Sequence, residues 1–155
     1  FTAMKNFTQL LVPTDMTNQS EEAIYFAIQL LPNQLKGQIH LLYVLEPPTL
    51  LDGYSIYSYE QLYSEIKTET EKRFDVLLKT FQEKFPEVSF SGHFKEELNA
   101  VDTIVKVAKD QHADLIVMAS HGRKGLRRVL MGSVAEGVMR VSSIPVVIYK
   151  SADQL

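Results

Sequence analysis

Asp114-Leu115-Ile116-Val117-Met118-Ala119 leads into a basic, glycine-containing loop from Ser120 to Met131, then Gly132-Ser133-Val134-Ala135-Glu136, and finally Ile144-Pro145-Val146-Val147-Ile148-Tyr149. The first of these runs is the most apolar in the chain and reads as a strand buried on both faces. Ser133 and Glu136 stand at capping-box spacing ahead of Val134, Val138 and Val141, which predicts a helix opened by Gly132-Ser133. The last run is a strand with proline at its start, where a missing N–H costs least. Strand, helix and strand in succession imply parallel pairing with a helical crossover.

The rest of the chain repeats the pattern. Phe7 to Pro13 reads as a short buried strand. Asn18 precedes Glu21 at capping-box spacing, and Ala23, Phe26, Ala27, Leu30 and Leu31 follow at helical spacing until Pro32-Asn33. Gln38 to Leu45 is a second continuous strand, closed by Pro47-Pro48. Residues 46–59 read as a loop carrying Gly53, Tyr54, Tyr57 and Tyr59. From Glu60 to Phe85, Leu62, Ile66, Phe74, Leu77, Leu78, Phe81 and Phe85 trace one helical stripe. Val88 to Phe94 alternates, as an outer strand with one wetter face does. Asn99 is placed to cap a helix that buries Val101, Ile104, Val105 and Ala108. The expectation is an α/β domain: one open, parallel, five-stranded sheet with helices on both faces.

Composition narrows the function classes. The 155 residues suit one domain, and 45% of them are apolar, enough for a full core. Lys and Arg number 16 against 19 Asp and Glu, a net charge of −3, which argues against a nucleic-acid binder with a basic face. The chain has no cysteine, which removes disulfides, thiolate metal sites and a cysteine nucleophile. No apolar run approaches the ~20 residues that span a bilayer, and the expected location is cytoplasmic. Phe1-Thr2-Ala3 ahead of Met4 read as a foreign leader, residues 4–150 as the domain and 151–155 as a tail.

Ligands of an open parallel sheet bind beyond the carboxyl ends of its strands, at the topological switch point. Pro13-Thr14-Asp15, Val44 to Pro48, and Ala119 to Ser133 fall there. The last stretch holds Gly122, Gly125 and Gly132 and the cations Arg123, Lys124, Arg127 and Arg128. Glycines let backbone N–H groups approach a phosphate, and a helix N-terminus adds its dipole. The same residues also suit a plain solvated loop with Ser133 as N-cap. Asp15 suits either a Mg²⁺ ion carried on phosphates or an Asx turn into the first helix. Of the histidines 40, 93, 112 and 121, none is paired at ligand spacing, so zinc is not expected; His40 reads as core or edge filling. The tyrosine loop suits a lid, or packing against the long helix. Catalysis is weakly supported: Ser120, His121 and Asp15 lack a nucleophile elbow.

Ala119-Ser120-His121-Gly122, nine residues, then Gly132-Ser133 resembles the nucleotide loop Gly-x2-Gly-x9-Gly-[Ser/Thr] of the universal stress protein family. Similarity extends through Val134-Ala135-Glu136 to Ser143-Ile144-Pro145-Val146-Val147, and covers Leu11-Val12-Pro13-Thr14-Asp15. The resemblance implies a Rossmann-like sheet of order 3-2-1-4-5, akin to the adenine nucleotide alpha hydrolases. It implies a homodimer through the last strand, at Val146, Ile148 and Tyr149. It also implies ATP or AMP, with or without Mg²⁺, as the ligand of a stress-response sensor. Pro13, Thr14 and Asp15 would border adenosine, and Val44 would offer its backbone to adenine. Met118, Ala119, His121, Gly122 and Arg123 would face ribose and phosphates, and Gly132, Ser133 and Val134 would hold phosphates. Ala119 replaces the first glycine, which is harmless where φ is negative and damaging where it must be positive. Leu98-Asn99-Ala100 replaces a common Gly-x-Pro. The competing readings are a slow ATPase or nucleotidyl-transfer enzyme on the same scaffold, and a nucleotide-free interaction protein.

Overall fold

Alternation of side chains along short apolar strands builds two cores, one on each face of a single sheet. The computed structural model describes residues 6–33, 36–49, 56–120 and 131–151. Its strands are β1 (Gln9–Pro13), β2 (Gln38–Leu45), β3 (Ser89–Glu96), β4 (Leu115–Ala119) and β5 (Val146–Tyr149). Its helices are α1 (Asn18–Leu30), α2 (Ile56–Lys84), α3 (Ala100–Asp110) and α4 (Ser133–Val141). The strands lie in the order β3-β2-β1-β4-β5, all parallel, as expected.

On one face Leu10, Val12, Ile39, Leu41, Leu115 and Val117 pack against Ile24 and Ala27 of α1 and Phe74 and Phe81 of α2. On the other, Leu11, Leu42, Ile116 and Met118 meet Ile104, Val105 and Ala108 of α3 and Ala135 and Val138 of α4. Successive residues serve opposite cores because strand side chains alternate. With both faces covered, the central strands carry no polar stripe. Each large apolar side chain fully buried here contributes about 1.5–3 kcal/mol. Asp114 ties the entry of β1 to β4: its carboxylate accepts from the Thr8 N–H at 3.1 Å and the Gln9 N–H at 3.3 Å.

Local chemistry departs from expectation at three helices. The N-cap of α1 is Thr17, whose hydroxyl accepts from the Ser20 N–H; Asn18 is already helical. Helix α2 begins at Ile56, so Tyr57 and Tyr59 are helical, not loop residues; Tyr54 lies outside the described residues. The Tyr59 hydroxyl donates to the Pro48 carbonyl, and its ring stacks on Tyr63 with centroids 6.2 Å apart. At 29 residues α2 runs about 43 Å, beyond the reach of the sheet, which leaves Leu62 and Ile66 51% and 43% exposed. Helix α4 is capped by Gly132 with no side-chain cap bond, so Ser133 is its first residue rather than its cap. Ala135 and Val138 form its buried side, while Val134 and Val141 face outward.

Helix α3 follows expectation, with Asn99 accepting from the Asp102 N–H at 3.0 Å. It ends with His112 at φ 52°, the Ala113 N–H on the Ala108 carbonyl and the His112 N–H on the Lys109 carbonyl. That is a Schellman closure with histidine in the left-handed position.

Candidate functional site

The sheet opens at the carboxyl ends of β1 and β4. Pairing of β1 with β2 continues to Pro13 opposite Leu42, and the Thr14 N–H donates to the Leu42 carbonyl at 2.8 Å. Pairing of β1 with β4 covers only Leu10 with Leu115 and Leu11 with Ile116. The two strands part there, and the chain leaves them toward opposite faces: α1 joins the first core and α4 the second. This parting is the switch point, where such sheets hold ligands.

On the β1 side the turn Thr14-Asp15-Met16-Thr17 is tightly organised. Thr14, 7% exposed, shares a hydrogen bond with Ser20 at 2.9 Å, and its hydroxyl accepts from the Met16 N–H at 3.0 Å. Its side chain therefore braces the turn rather than facing the crevice. Asp15 Oδ1 accepts from the Thr17 N–H at 3.1 Å and from the Thr17 hydroxyl at 2.5 Å. An acceptor two residues ahead of its donor is the Asx turn. Met16 takes φ 61°, strained for a side chain with a Cβ. Met16 and Ser20 are the site-shaping residues that sequence reading missed; neither carries a local signal for it.

On the β4 side, the Gly132 N–H donates to the Ser120 carbonyl at 2.6 Å, and the Ser120 N–H donates to the Tyr149 carbonyl at 2.8 Å. The first bond joins the end of β4 to the start of α4 and brings Ala119 beside Gly132-Ser133. It also means that the Gly132 amide points at Ser120, not outward to a ligand. The first-turn amides of Ser133 and Val134 remain without an acceptor inside α4, as at every helix start. Gly132 has φ −72°, so its backbone is ordinary. Among the described residues Met16 and His112 are the non-glycine positions of positive φ, so Ala119 sits without strain in place of the family's glycine. Met118 is buried in the second core and contributes only backbone to the crevice wall.

Val44 lies two residues past Leu42 in β2. By strand alternation its N–H and C=O turn to the same side as those of Leu42, toward β1 and beyond the last β1–β2 pair. Its peptide thus edges the crevice, while its side chain packs on the second core. The structure brings together Pro13, Thr14, Asp15, Val44, Met118, Ala119, Gly132, Ser133 and Val134 at one end of the sheet. His121, Gly122 and Arg123 lie outside the described residues, as do Lys124, Arg127 and Arg128.

β5 is a sheet edge, paired with β4. Val146 and Ile148 pack into the second core, and the Tyr149 ring lies 5.2 Å from that of Phe26. Among the described residues no helix is long and apolar enough to cross a membrane. His40 is buried, in keeping with a core-filling role, and meets the sequence-distant His93 between β2 and β3 with ring nitrogens 3.2 Å apart.

Comparison with known proteins agrees with this architecture. Universal stress protein MJ0531 of Methanocaldococcus jannaschii is 30% identical over 93% of this chain and 82% of its own length. The solved structure of MJ0577, also from that organism, superposes with a TM-score of 0.75 at 25% identity, covering 95% of this chain and 98% of that one. A universal stress protein family protein of Arabidopsis thaliana, solved with AMP bound, matches at 19% identity and TM-score 0.62 over 95% of this chain and 94% of its own. A universal stress protein solved in complex with cAMP matches at 20% identity and TM-score 0.58 over 94% and 98%. The profile of the universal stress protein family matches residues 6–150, and the chain belongs to that family.

Proposed function

We propose that this chain binds an adenine nucleotide, ATP or AMP, where β1 and β4 part, and acts as a nucleotide-sensing regulatory protein in stress response. The observation that carries the reading is the convergence at that opening of the Val44 peptide edge, the Asp15 turn and the N-terminus of α4. In this reading Val44 offers its N–H and C=O to the base edge, and Pro13, Thr14 and Asp15 border the nucleoside. The amides of Ser133 and Val134, with the Ser133 hydroxyl, take the phosphates, aided by the helix dipole. His121, Gly122 and Arg123 supply the rest of the phosphate contacts. Related folds solved with AMP and cAMP support the ligand class. Mg²⁺ enters on the phosphates of ATP, and the Asp15 carboxylate, whose Oδ1 also accepts from Thr17, is its candidate protein ligand.

Signalling needs two states with different ligand affinity. In the proposed dimer the unpaired side of β5 joins a second copy about a two-fold axis. Ser120, bonded to both Gly132 and Tyr149, links the phosphate end of the site to that edge.

The test is to denature freshly purified protein, identify released nucleotide by mass spectrometry, and titrate ATP with Mg²⁺ in a thermal-shift assay. Copurified AMP or ATP supports the reading. So does a gain of about 2.7 kcal/mol at a hundredfold excess over Kd, which is about 5–11 °C in this size range. An empty protein with no shift at millimolar nucleotide overturns it in favour of a ligand-free interaction protein. ATP turnover that collapses on Ser133→Ala would instead identify an enzyme.

A further inference from the structure

Three side chains on the outer half of the sheet converge on one point, away from the nucleotide crevice. Ser91 and His93 alternate with Phe90 and Phe94, and His40 alternates with Ile39 and Leu41; all four apolar partners pack in the first core. His40, Ser91 and His93 therefore share the opposite face, the one that carries α3. His40 Nδ1 lies 3.2 Å from His93 Nε2 and 2.8 Å from Ser91 Oγ, and Ser91 Oγ lies 3.3 Å from His93 Nε2. The ligand atoms of a tetrahedral zinc ion, with Zn–N of about 2.0–2.1 Å, stand roughly 3.3 Å from one another. The triangle therefore needs only slight expansion to become one face of such a shell.

The surroundings support the ligand role. His40 Nε2 lies 3.2 Å from the carboxamide oxygen of Gln9. An acceptor there puts the ring proton on Nε2 and turns the Nδ1 lone pair into the triangle. Metal-ligating histidines are oriented by this kind of outer contact. His40 is buried, but Ser91 and His93 are half-buried on an edge strand, which leaves a way in.

We propose that His40 Nδ1, His93 Nε2 and Ser91 Oγ bind a divalent transition-metal ion of the zinc type, bridging β2 and β3, with water completing its shell. Imidazole donors select zinc, copper or nickel over magnesium and calcium, which prefer carboxylate and carbonyl oxygen. Among the described residues no group of three or more His, Asp, Glu or Cys could hold a metal ion, so the proposed shell has two imidazoles and the Ser91 hydroxyl, 2.8 Å from His40 Nδ1, with the rest water. The positive charge of Lys95, two residues along the same face, sets the affinity below that of a carboxylate-bearing site.

The test is calorimetric titration of the whole, metal-free chain with Zn²⁺, and absorption spectroscopy with Co²⁺, both without nucleotide so that the result does not depend on the proposed function. The expected result is one Zn²⁺ per chain, with tetrahedral Co²⁺ bands. His93→Gln, on the edge strand, should weaken binding at least about tenfold and abolish the bands, and Gln9→Ala should weaken it about 10–100-fold through orientation of His40. His112→Gln, exposed at the end of α3, should leave binding unchanged. Circular dichroism confirms that each variant is folded before titration. Absence of saturable uptake at submillimolar Zn²⁺, or equal uptake by folded His93→Gln and wild type, overturns the proposal.

Discussion

Asp15 and Thr17 are locked together: one carboxylate oxygen accepts both the backbone N–H and the hydroxyl of Thr17, at 3.1 and 2.5 Å. The contact sets the entry to α1 and fixes the wall of the crevice at the same time. Asp15→Asn keeps an acceptor oxygen, so its stability should stay near wild type. Asp15→Ala should lose about 1 kcal/mol, the usual worth of one such hydrogen bond. Both variants should bind ATP about tenfold more weakly if the carboxylate touches the nucleoside, since hydrogen bonds to charged groups are worth about 1.5–3 kcal/mol. Unchanged ATP affinity in Asp15→Asn, measured by calorimetry, would restrict Asp15 to the turn.

Thr17, not Asn18, caps α1. Thr17→Ala should cost about 1 kcal/mol and lower Tm by about 2–4 °C. Asn18→Ala, at an exposed first helical position, should change Tm little. Thermal denaturation of the pair reverses this ranking if the cap is misassigned.

Gly137 in α4 packs on Val101 of α3, and a Cβ at that position would lie 2.7 Å from Val101 Cγ2. Alanine in a helix normally gains about 1 kcal/mol over glycine. Here the stiff β-branched neighbour cannot yield cheaply, and overpacking costs about 1–3 kcal/mol. Gly137→Ala should therefore be neutral to destabilising by about 2 kcal/mol, with lower nucleotide affinity as α4 is pushed away. Adding Val101→Ala should restore both, and a double-mutant cycle measures the coupling.

Lys67 on α2 pairs with Glu96 at the end of β3. The hydrogen bond from the Lys67 ammonium holds the Glu96 carboxyl below its usual 4.5. The unfolded chain then takes up the Glu96 proton at a higher pH than the folded chain does. The stabilisation is complete above 4.5 and is lost as pH falls from there through the depressed value. The Tm difference between wild type and Glu96→Gln should be small and constant near neutrality and should shrink below pH 4.5. A difference that persists at the acid end would assign it to packing.

The alternation of elements, the parallel sheet and the location of the crevice were legible in local pattern. Continuous runs such as Leu115 to Met118 have no polar face to offer water, and prolines at 13, 32, 47 and 86 mark where elements stop. Capping was legible at Asn99 but not at Thr17 or Gly132. Several Ser, Thr or Asn residues near a helix start can each serve as cap, and the choice depends on which one the preceding turn carries into place. The buried side of α4 was decided by the fold for a similar reason: periodicity offers a stripe, and the seating of the helix turns Ala135 and Val138 inward.

Residues near one another along the chain were enough to specify strands, helices and a ligand-bearing end of the sheet, because period and turn chemistry act over a few positions. Contacts between distant positions came only with the fold. Asp114 reaches Thr8 across 106 residues, and His40 meets His93 across 53. The parting of β1 from β4, the Gly132 amide turned to Ser120, and the ordinary backbone at Ala119 belong to the same class. Each depends on how whole elements are seated against one another, and that arrangement minimises the free energy of the entire chain rather than of any segment of it.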